Sequence, residues 1–315
     1  MTGLLPVDKP AGPTSHDIVA QVRRALGIRR VGHAGTLDPF ASGLLLVCVG
    51  STTRLVEYLH DLDKCYEAEA LLGVTTDSDD LDGEVVARSP RWEQVDEAAV
   101  TRALESQLGN RLQQPPVFSA KKVHGEAAHR KARRGESVDL AAVPVMIHEV
   151  ELLSFELPSV RFRVRCGTGT YIRAIARDLG ESLGCGAHLT SLRRTSIGPF
   201  QVDEALPGDD LAARADVSEH LLSPMEAVRH LPVMEIDDDM ERRLRMGQRV
   251  ELPGEDADVA AEGRATSMAE AVAGGDLDGG GVVHAIVRGS LLVGVGTMEG
   301  DRLRPRKILP LEDEV

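Results

Sequence analysis

Cysteine is sparse in this chain: its 315 residues include four, Cys48, Cys65, Cys166 and Cys185. Four scattered thiols make no disulfide framework, and no pair has the C-x-x-C spacing of a zinc knuckle or redox motif. No basic segment followed by an apolar one opens the chain, so no signal peptide is expected. No apolar run approaches the roughly 18 residues needed to span a bilayer. The expectation is a cytoplasmic protein with reduced thiols. An excess of positive charge is missing too. Lys and Arg number 36 against 50 Asp and Glu, a formal charge of −14. A uniformly basic nucleic-acid binder is excluded, so any anionic partner must be gripped by a local patch. There is no internal repeat.

The composition is globular. Apolar residues make up 42% of the chain, enough to fill a core, and the length suggests about two domains. Ser15–Leu26 carries Ile18, Val19, Val22, Ala25 and Leu26 at helical spacing, with Ser15 as N-cap. Leu44–Val49 reads as a buried strand and Cys65–Leu72 as another, with a short helix over Arg54–Leu59 between them. Residues 94–108 read as a surface helix, 145–154 and 160–166 as strands, and 170–183 as a helix. A boundary falls near 207–231, dividing the chain into 1–230 and 231–315. The second part should be mostly β, with strands at 282–287 and 291–297. It is interrupted by a Gly/Ala/acid-rich stretch at 253–281 that reads as a flexible insertion.

Two stretches reverse the acidic balance. Residues 111–134 hold seven basic side chains against Glu126 alone. Together with its continuation to 136, this stretch reads as an exposed basic arm. Residues 161–194 hold seven arginines against Asp178 and Glu181. Both are candidate phosphate grips, and both are also compatible with ordinary solvated charge.

The most informative segment is GHAGTLDPFASGLLL at 32–46. Gly32 and Gly35 permit tight turns, and Pro39 biases Asp38 towards extended backbone. Asp38 therefore sits on a constrained loop just before a buried strand, which can present a carboxylate at the lip of a core. The same residues would also suit a plain connecting turn.

This segment and LLPVDKPAGPTSHDIV at 4–19 closely resemble the TruB family of bacterial tRNA pseudouridine-55 synthases. The resemblance continues, in order, through DKCYEAEALLGVTTDSDDLDGEV (63–85), QQPPVFSAKKVHGEAAHRKARRGE (113–136) and GTGTYIRAIARDLGESLGCGAHLTSLRRTSIGPF (167–200). More weakly, VRGSLLVGVGTMEGDRLRPRKILP resembles the family's C-terminal RNA-binding domain. The resemblance implies an α/β fold of the α+β type. Its catalytic domain would have a mixed, largely antiparallel sheet, followed by a small β-rich, PUA-like domain. It implies an isomerase that flips uridine 55 out of the TΨC loop of tRNA and converts it to pseudouridine.

Site residues follow from the same resemblance. Asp38 corresponds to the nucleophile, Tyr66 to the tyrosine that meets the target base, and Arg173 to the partner of the nucleophilic carboxylate. Tyr171 and Leu192 line the pocket, and His33 acts as the base leaves its stack. Lys9 and Arg54 are supporting cations. Lys121, Lys122, Arg130 and Arg133 of the arm grip phosphates. No metal or organic cofactor is implied, and the protein should act on tRNA as a monomer.

Three other patterns fail. Asp77, Asp79, Asp80 and Asp82 imitate a calcium loop, but Leu81 holds a ligand position and the closing glutamate is missing; Asp77 reads instead as a structural or pocket-edge carboxylate. Gly167-Thr168-Gly169 starts like a dinucleotide fingerprint, but Ile172 occupies the third glycine position. A paired-carboxylate glycosidase needs a second acid near Asp38, and the sequence places none there. Three further alternatives are a non-catalytic tRNA chaperone, a hydrolase releasing the base, and a pseudouridine synthase acting on another RNA.

Overall fold

The computed structural model describes residues 1–119, 122–123, 126–127, 134, 140–251 and 281–310. The chain opens with strand β1 (Gly3–Lys9) and helix α1 (Ser15–Leu26). The cap of α1 lies one residue earlier than the spacing suggests. Thr14 and Asp17 form a reciprocal capping box there. That frees Ser15 for a tertiary contact. Ile18, Val19 and Val22 are buried on the sheet.

Strands β2 (Val31–Ala34) and β3 (Ser42–Val49) follow, then a 3-10 turn (Gly50–Leu55) and helix α2 (Val56–His60). Next come β4 (Lys64–Leu72), the hairpin β5 (Val74–Thr76) and β6 (Val85–Arg88), helix α3 (Glu97–Glu105) and β7 (Gly109–Gln113). The short pair β8 (Lys122–Val123) and β9 (Glu126–Ala127) precedes β10 (Val143–Glu156), β11 (Ser159–Cys166), helix α4 (Ile172–Ser182) and β12 (Ala187–Ile197). Short strands β13 (Phe200–Gln201) and β14 (Leu206–Pro207) end this part.

A ten-stranded mixed sheet runs in the order β14-β1-β3-β12-β4-β11-β10-β7, with β13 added to β12 and β2 to β3. Most pairings are antiparallel, while β12–β3 and β1–β14 are parallel. β12 is the pivot. Its Arg194 lies opposite Tyr66 of β4 and opposite Gly43 of β3. Gly43 has φ +106°, and a Cβ there would overlap the Arg194 backbone, so only glycine lets β3 close onto β12.

Alternation along β4 sends Tyr66, Ala68, Ala70 and Leu72 into one core with Val100 and Leu104 of α3 and Ile175 and Leu179 of α4. The opposite face is charged. Arg163 bridges Glu67 (3.1 Å) and Glu151 (2.9 Å), and Arg165 bridges Asp63 (2.9 Å) and Glu149 (2.7 Å). This corrects the reading of the 161–194 arginines as a phosphate grip. Arg161, Arg163, Arg165, Arg173, Arg177 and Arg193 each meet a carboxylate of the chain, and Arg194 is buried. The proposed arm is corrected at its start as well. Residues 111–113 belong to edge strand β7, which pairs with β10, and Arg111 meets Asp178 at 3.2 Å.

The C-terminal part is β-rich. Strands β15 (Val233–Glu235), β16 (Val250–Glu251), β17 (Val283–Arg288), β18 (Leu291–Glu299) and β19 (Arg302–Ile308) form a sheet in the order β15-β17-β18-β19-β16. Helix α5 (Asp238–Arg245), absent from the sequence reading, packs Leu244 into it. One apolar core joins the two sheets. Leu55, Leu59, Ala227 and Val228 pack with Ala285, Val287, Leu292 and Leu309. The stretch 253–281 lies outside the described residues apart from Gly281. Among the described residues no helix is long and apolar enough to cross a membrane.

Candidate active site

Asp38 lies on the loop between β2 and β3, and that loop is clamped from three directions. Ser15, freed from capping, donates to Leu37 O at 3.1 Å and accepts from Leu37 N at 2.9 Å. Gly12 N and Lys9 Nζ both donate to Pro39 O, at 2.8 and 3.3 Å. Arg194 donates to Gly35 O at 3.2 Å and reaches Thr36 O at 3.5 Å. The loop thus gains rigidity from side chains far away in sequence.

The Asp38 side chain is recessed but open, 34% exposed. Arg173 meets both of its oxygens, Nε to Oδ2 at 3.0 Å and Nη2 to Oδ1 at 3.2 Å. This fork-to-fork pairing is the strong, oriented form of an ion pair. Arg173 is 4% exposed. Its remaining contacts are Asp80 Oδ2 (3.2 Å), Ser78 O (2.9 Å) and Phe118 O (3.0 Å). Burial pushes the Asp38 carboxyl above its ordinary range; Arg173 pulls the other way and Asp80 pushes further up.

A buried clip sets the start of α4. Gln113 accepts from Tyr171 N at 2.9 Å and donates to Tyr171 O at 3.1 Å. Arg173 follows two residues later, in the first turn, where a cation opposes the helix dipole. The two carboxylates beside it offset that charge.

Tyr66 and Leu192 sit in the same core cluster as Leu37 and Ala41 of the loop. Burial pushes the Tyr66 phenol up, while Arg194 opposes that rise through its charge and a hydrogen bond. His33 lies on β2, paired with Val47. Its ring meets His16 edge-on at 5.4 Å, and burial holds the imidazole at about 4, so it is neutral at pH 7. Asp38, Arg173, Tyr66 and Leu192 are thus brought together, whereas Tyr171 at the start of α4 is held by Gln113 and His33 on β2 faces His16.

The other expected residues lie elsewhere or beyond view. Lys9 is fully buried and directs its ammonium to Pro10 O, Pro13 O and Pro39 O. It supports the loop from within. Arg54 donates to Ile308 O at 2.7 Å, between the two sheets. Lys121, Arg130 and Arg133 lie outside the described residues, and of Lys122 only the backbone, opposite Ala127, is described.

Asp80, Gln113, Ser15 and Arg194 carry site geometry that the sequence reading did not assign. Asp80 stood among four aspartates dismissed as a failed calcium loop. In the fold Asp77 accepts from Glu84 N (2.9 Å), a purely local contact, while Asp80 reaches Arg173. A second carboxylate therefore does belong beside Asp38, joined to it through an arginine.

The chain is similar to known proteins along most of its length. The model of the TruB family pseudouridylate synthase N-terminal domain matches residues 23–172, and that of the tRNA pseudouridylate synthase B C-terminal domain matches 173–229. A protein named tRNA pseudouridine synthase B from Thermobifida fusca is 46% identical over 281 residues, covering 85% of this chain and 94% of that protein. One of the same name from Syntrophotalea carbinolica is 43% identical over 249 residues, covering 78% and 81%. Among solved structures, a chain of an H/ACA ribonucleoprotein bound to a substrate RNA containing 2'-deoxyuridine superposes with a TM-score of 0.70. It is 25% identical and covers 99% of this chain and 86% of that one. A chain of a Cbf5–Nop10–Gar1 complex gives 0.67 at 26% identity, covering the same shares. With an aspartate held by an arginine on a clamped loop, and with relatives of this closeness along most of its length, the chain belongs to the TruB family of pseudouridylate synthases.

Proposed function

We propose that this chain is a tRNA pseudouridine synthase that converts uridine 55 of the TΨC loop to pseudouridine, with Asp38 as nucleophile. The observation that carries the reading is the two-point pairing of a recessed, open Asp38 carboxylate with Arg173. Relatives named tRNA pseudouridine synthase B support the choice of RNA.

The reaction breaks the N1–C1′ bond, turns the base and joins C5 to C1′. C5 loses a proton and N1 gains one, so the product is an isomer and no redox agent or energy source is consumed. The carboxylate can attack C1′ or C6, or remove the 2′ proton in a glycal route. Each route requires an ionised, positioned Asp38. Arg173 favours the charged form and holds its direction.

The reacting atoms of a stacked uridine are hidden, so the base must leave its stack. Neutral His33 offers a ring to replace the lost neighbour. Tyr66 meets the extruded base and assists loss of the C5 proton, with Tyr171 and Leu192 lining the pocket. Lys9 acts as a supporting cation by holding Pro39. Lys121, Lys122, Arg130 and Arg133 would grip phosphates. The protein acts as a monomer in the cytoplasm without metal or organic cofactor.

The test is product analysis. Unmodified tRNA transcript is treated with wild type or Asp38→Asn, digested, and assayed for pseudouridine and free uracil. The expected result is pseudouridine at one site from wild type and none from Asp38→Asn. Free uracil would identify a hydrolase. Bound tRNA with no product from wild type would identify an RNA chaperone.

A further inference from the structure

A buried arginine ordinarily faces a carboxylate, because an unpaired ion in the interior costs several kcal/mol or more. Arg194 is 1% exposed and breaks that habit. Among the described residues it meets no carboxylate; it donates to the backbone carbonyls Leu44 O at 2.7 Å and Gly35 O at 3.2 Å, reaches Thr36 O at 3.5 Å, and bonds the Tyr66 phenol. Three carbonyls call for donors, not for a charge, so the positive charge is surplus to the clamp.

Its charge reaches well beyond the clamp, into surroundings that also hold the carboxylates Asp38, Asp61 and Asp63. Lys9, Lys64, His33 and His60 all feel it from β1, β4, β2 and α2. Burial first, with Arg194 adding to it, holds Lys9 and Lys64 near 8. The groups facing Tyr66 are Arg194 from β12, Cys166 from β11 and Asp38 from the loop. The guanidinium carbon stands 6.0 Å from the Tyr66 ring centre. Its two loop contacts, Gly35 O and Thr36 O, lie just ahead of Asp38 in the chain. One side chain therefore touches the tyrosine and the turn that carries the aspartate.

We propose that Arg194 is a positioning residue of the isomerisation: it holds the Asp38 turn and supplies a positive charge beside the Tyr66 ring that favours an anionic oxygen on Tyr66. The inference rests on the reading in which Tyr66 and Asp38 meet the flipped uridine. The two halves of the role separate experimentally because arginine keeps its charge at every accessible pH, whereas a lysine buried at the same place titrates.

Single-turnover rates on unmodified tRNA transcript are measured from pH 6 to 10 for wild type and Arg194→Lys. Folding by circular dichroism and tRNA affinity by filter binding are followed at each pH. The expected result is a new alkaline fall in the Arg194→Lys rate, below the ordinary lysine range because burial disfavours the charged form, with fold and affinity unchanged across it. A profile parallel to wild type overturns the proposal, as does a fall that tracks unfolding or loss of tRNA binding. Arg194→Gln keeps donors and drops the charge; it is expected to lose roughly tenfold or more in rate at every pH, and full activity overturns the proposal. Wild type that makes no pseudouridine refutes the functional reading instead, which separates the two failures.

Discussion

Arg173 stands between two carboxylates, and the second changes what the first can do. Asp80 is nearly buried and takes one end of the guanidinium while Asp38 takes the other. Asp80→Asn would keep the shape and remove one charge-assisted contact, worth about 1.5–3 kcal/mol. If that contact orients Arg173, kcat should fall roughly 10–100-fold with little change in KM. The acid limb should move as well. Asp38 must be ionised, its pKa is raised, and Asp80 is one of the groups raising it. Activity is thus lost as pH falls through that raised value, and Asp80→Asn should shift the loss to lower pH. A limb that stays in place would show that Asp80 acts only on shape. Asp38 stood out in the sequence through the family resemblance of GHAGTLDPFASGLLL, since the Asp-Pro turn by itself would equally suit a plain connection. Asp80 did not, because its partner lies 93 positions away and three similar aspartates surround it.

Elements with a plain apolar rhythm were legible. Helix α1 and strands β3, β4, β10 and β11 lie within about two residues of where periodicity places them, and α4 starts two residues after Thr170. Strand β12 was not. Its AHLTSLRRTSI carries two adjacent arginines, and register shifts break its alternation. One arginine reaches Asp8 across the sheet and the other enters the interior, so polarity disguised a central strand. The clip at the start of α4 was equally hidden, since Gln113 and Tyr171 meet only after β7 joins the sheet edge. Gln113→Ala would leave both backbone groups of Tyr171 without that partner, at a cost of about 1–3 kcal/mol. The expected outcome is a lower melting temperature and a reduced rate, with the rate still reduced well below the melting transition. An unchanged rate there would mean that Arg173 finds its place without the clip.

At the scale of the whole molecule, charge is paired across the back face of the large sheet. The back-face arginines are neutralised by Glu67, Glu149, Glu151 and Asp63, leaving a polyanion little reason to settle there. Stability at high pH should follow the buried bases and thiols. Lys9 and Lys64 titrate near 8 when folded, against 10.5 ordinarily, so from about pH 8 the unfolded chain holds more protons and stability rises. Above 9.0 the thiols of the unfolded chain ionise, while burial keeps Cys48 and Cys166 protonated to about 12, and this opposes the gain. Buried Tyr58 and Tyr66 add to the opposition above 10.0. Chemical denaturation between pH 7 and 11 should therefore show a maximum near 9 to 10; a steady decline from pH 8 would contradict the burial of the two lysines. The apolar core shared by the two sheets has a consequence during synthesis. Leu55, Leu59 and Val228 leave the ribosome before their partners Val287, Leu292 and Leu309 exist. At roughly 5–20 residues per second, the last of those partners arrives on the order of 4–16 s after Val228. For that interval the side of the patch that those partners will cover stays open, so a chaperone acting there would serve this protein most in the seconds before release.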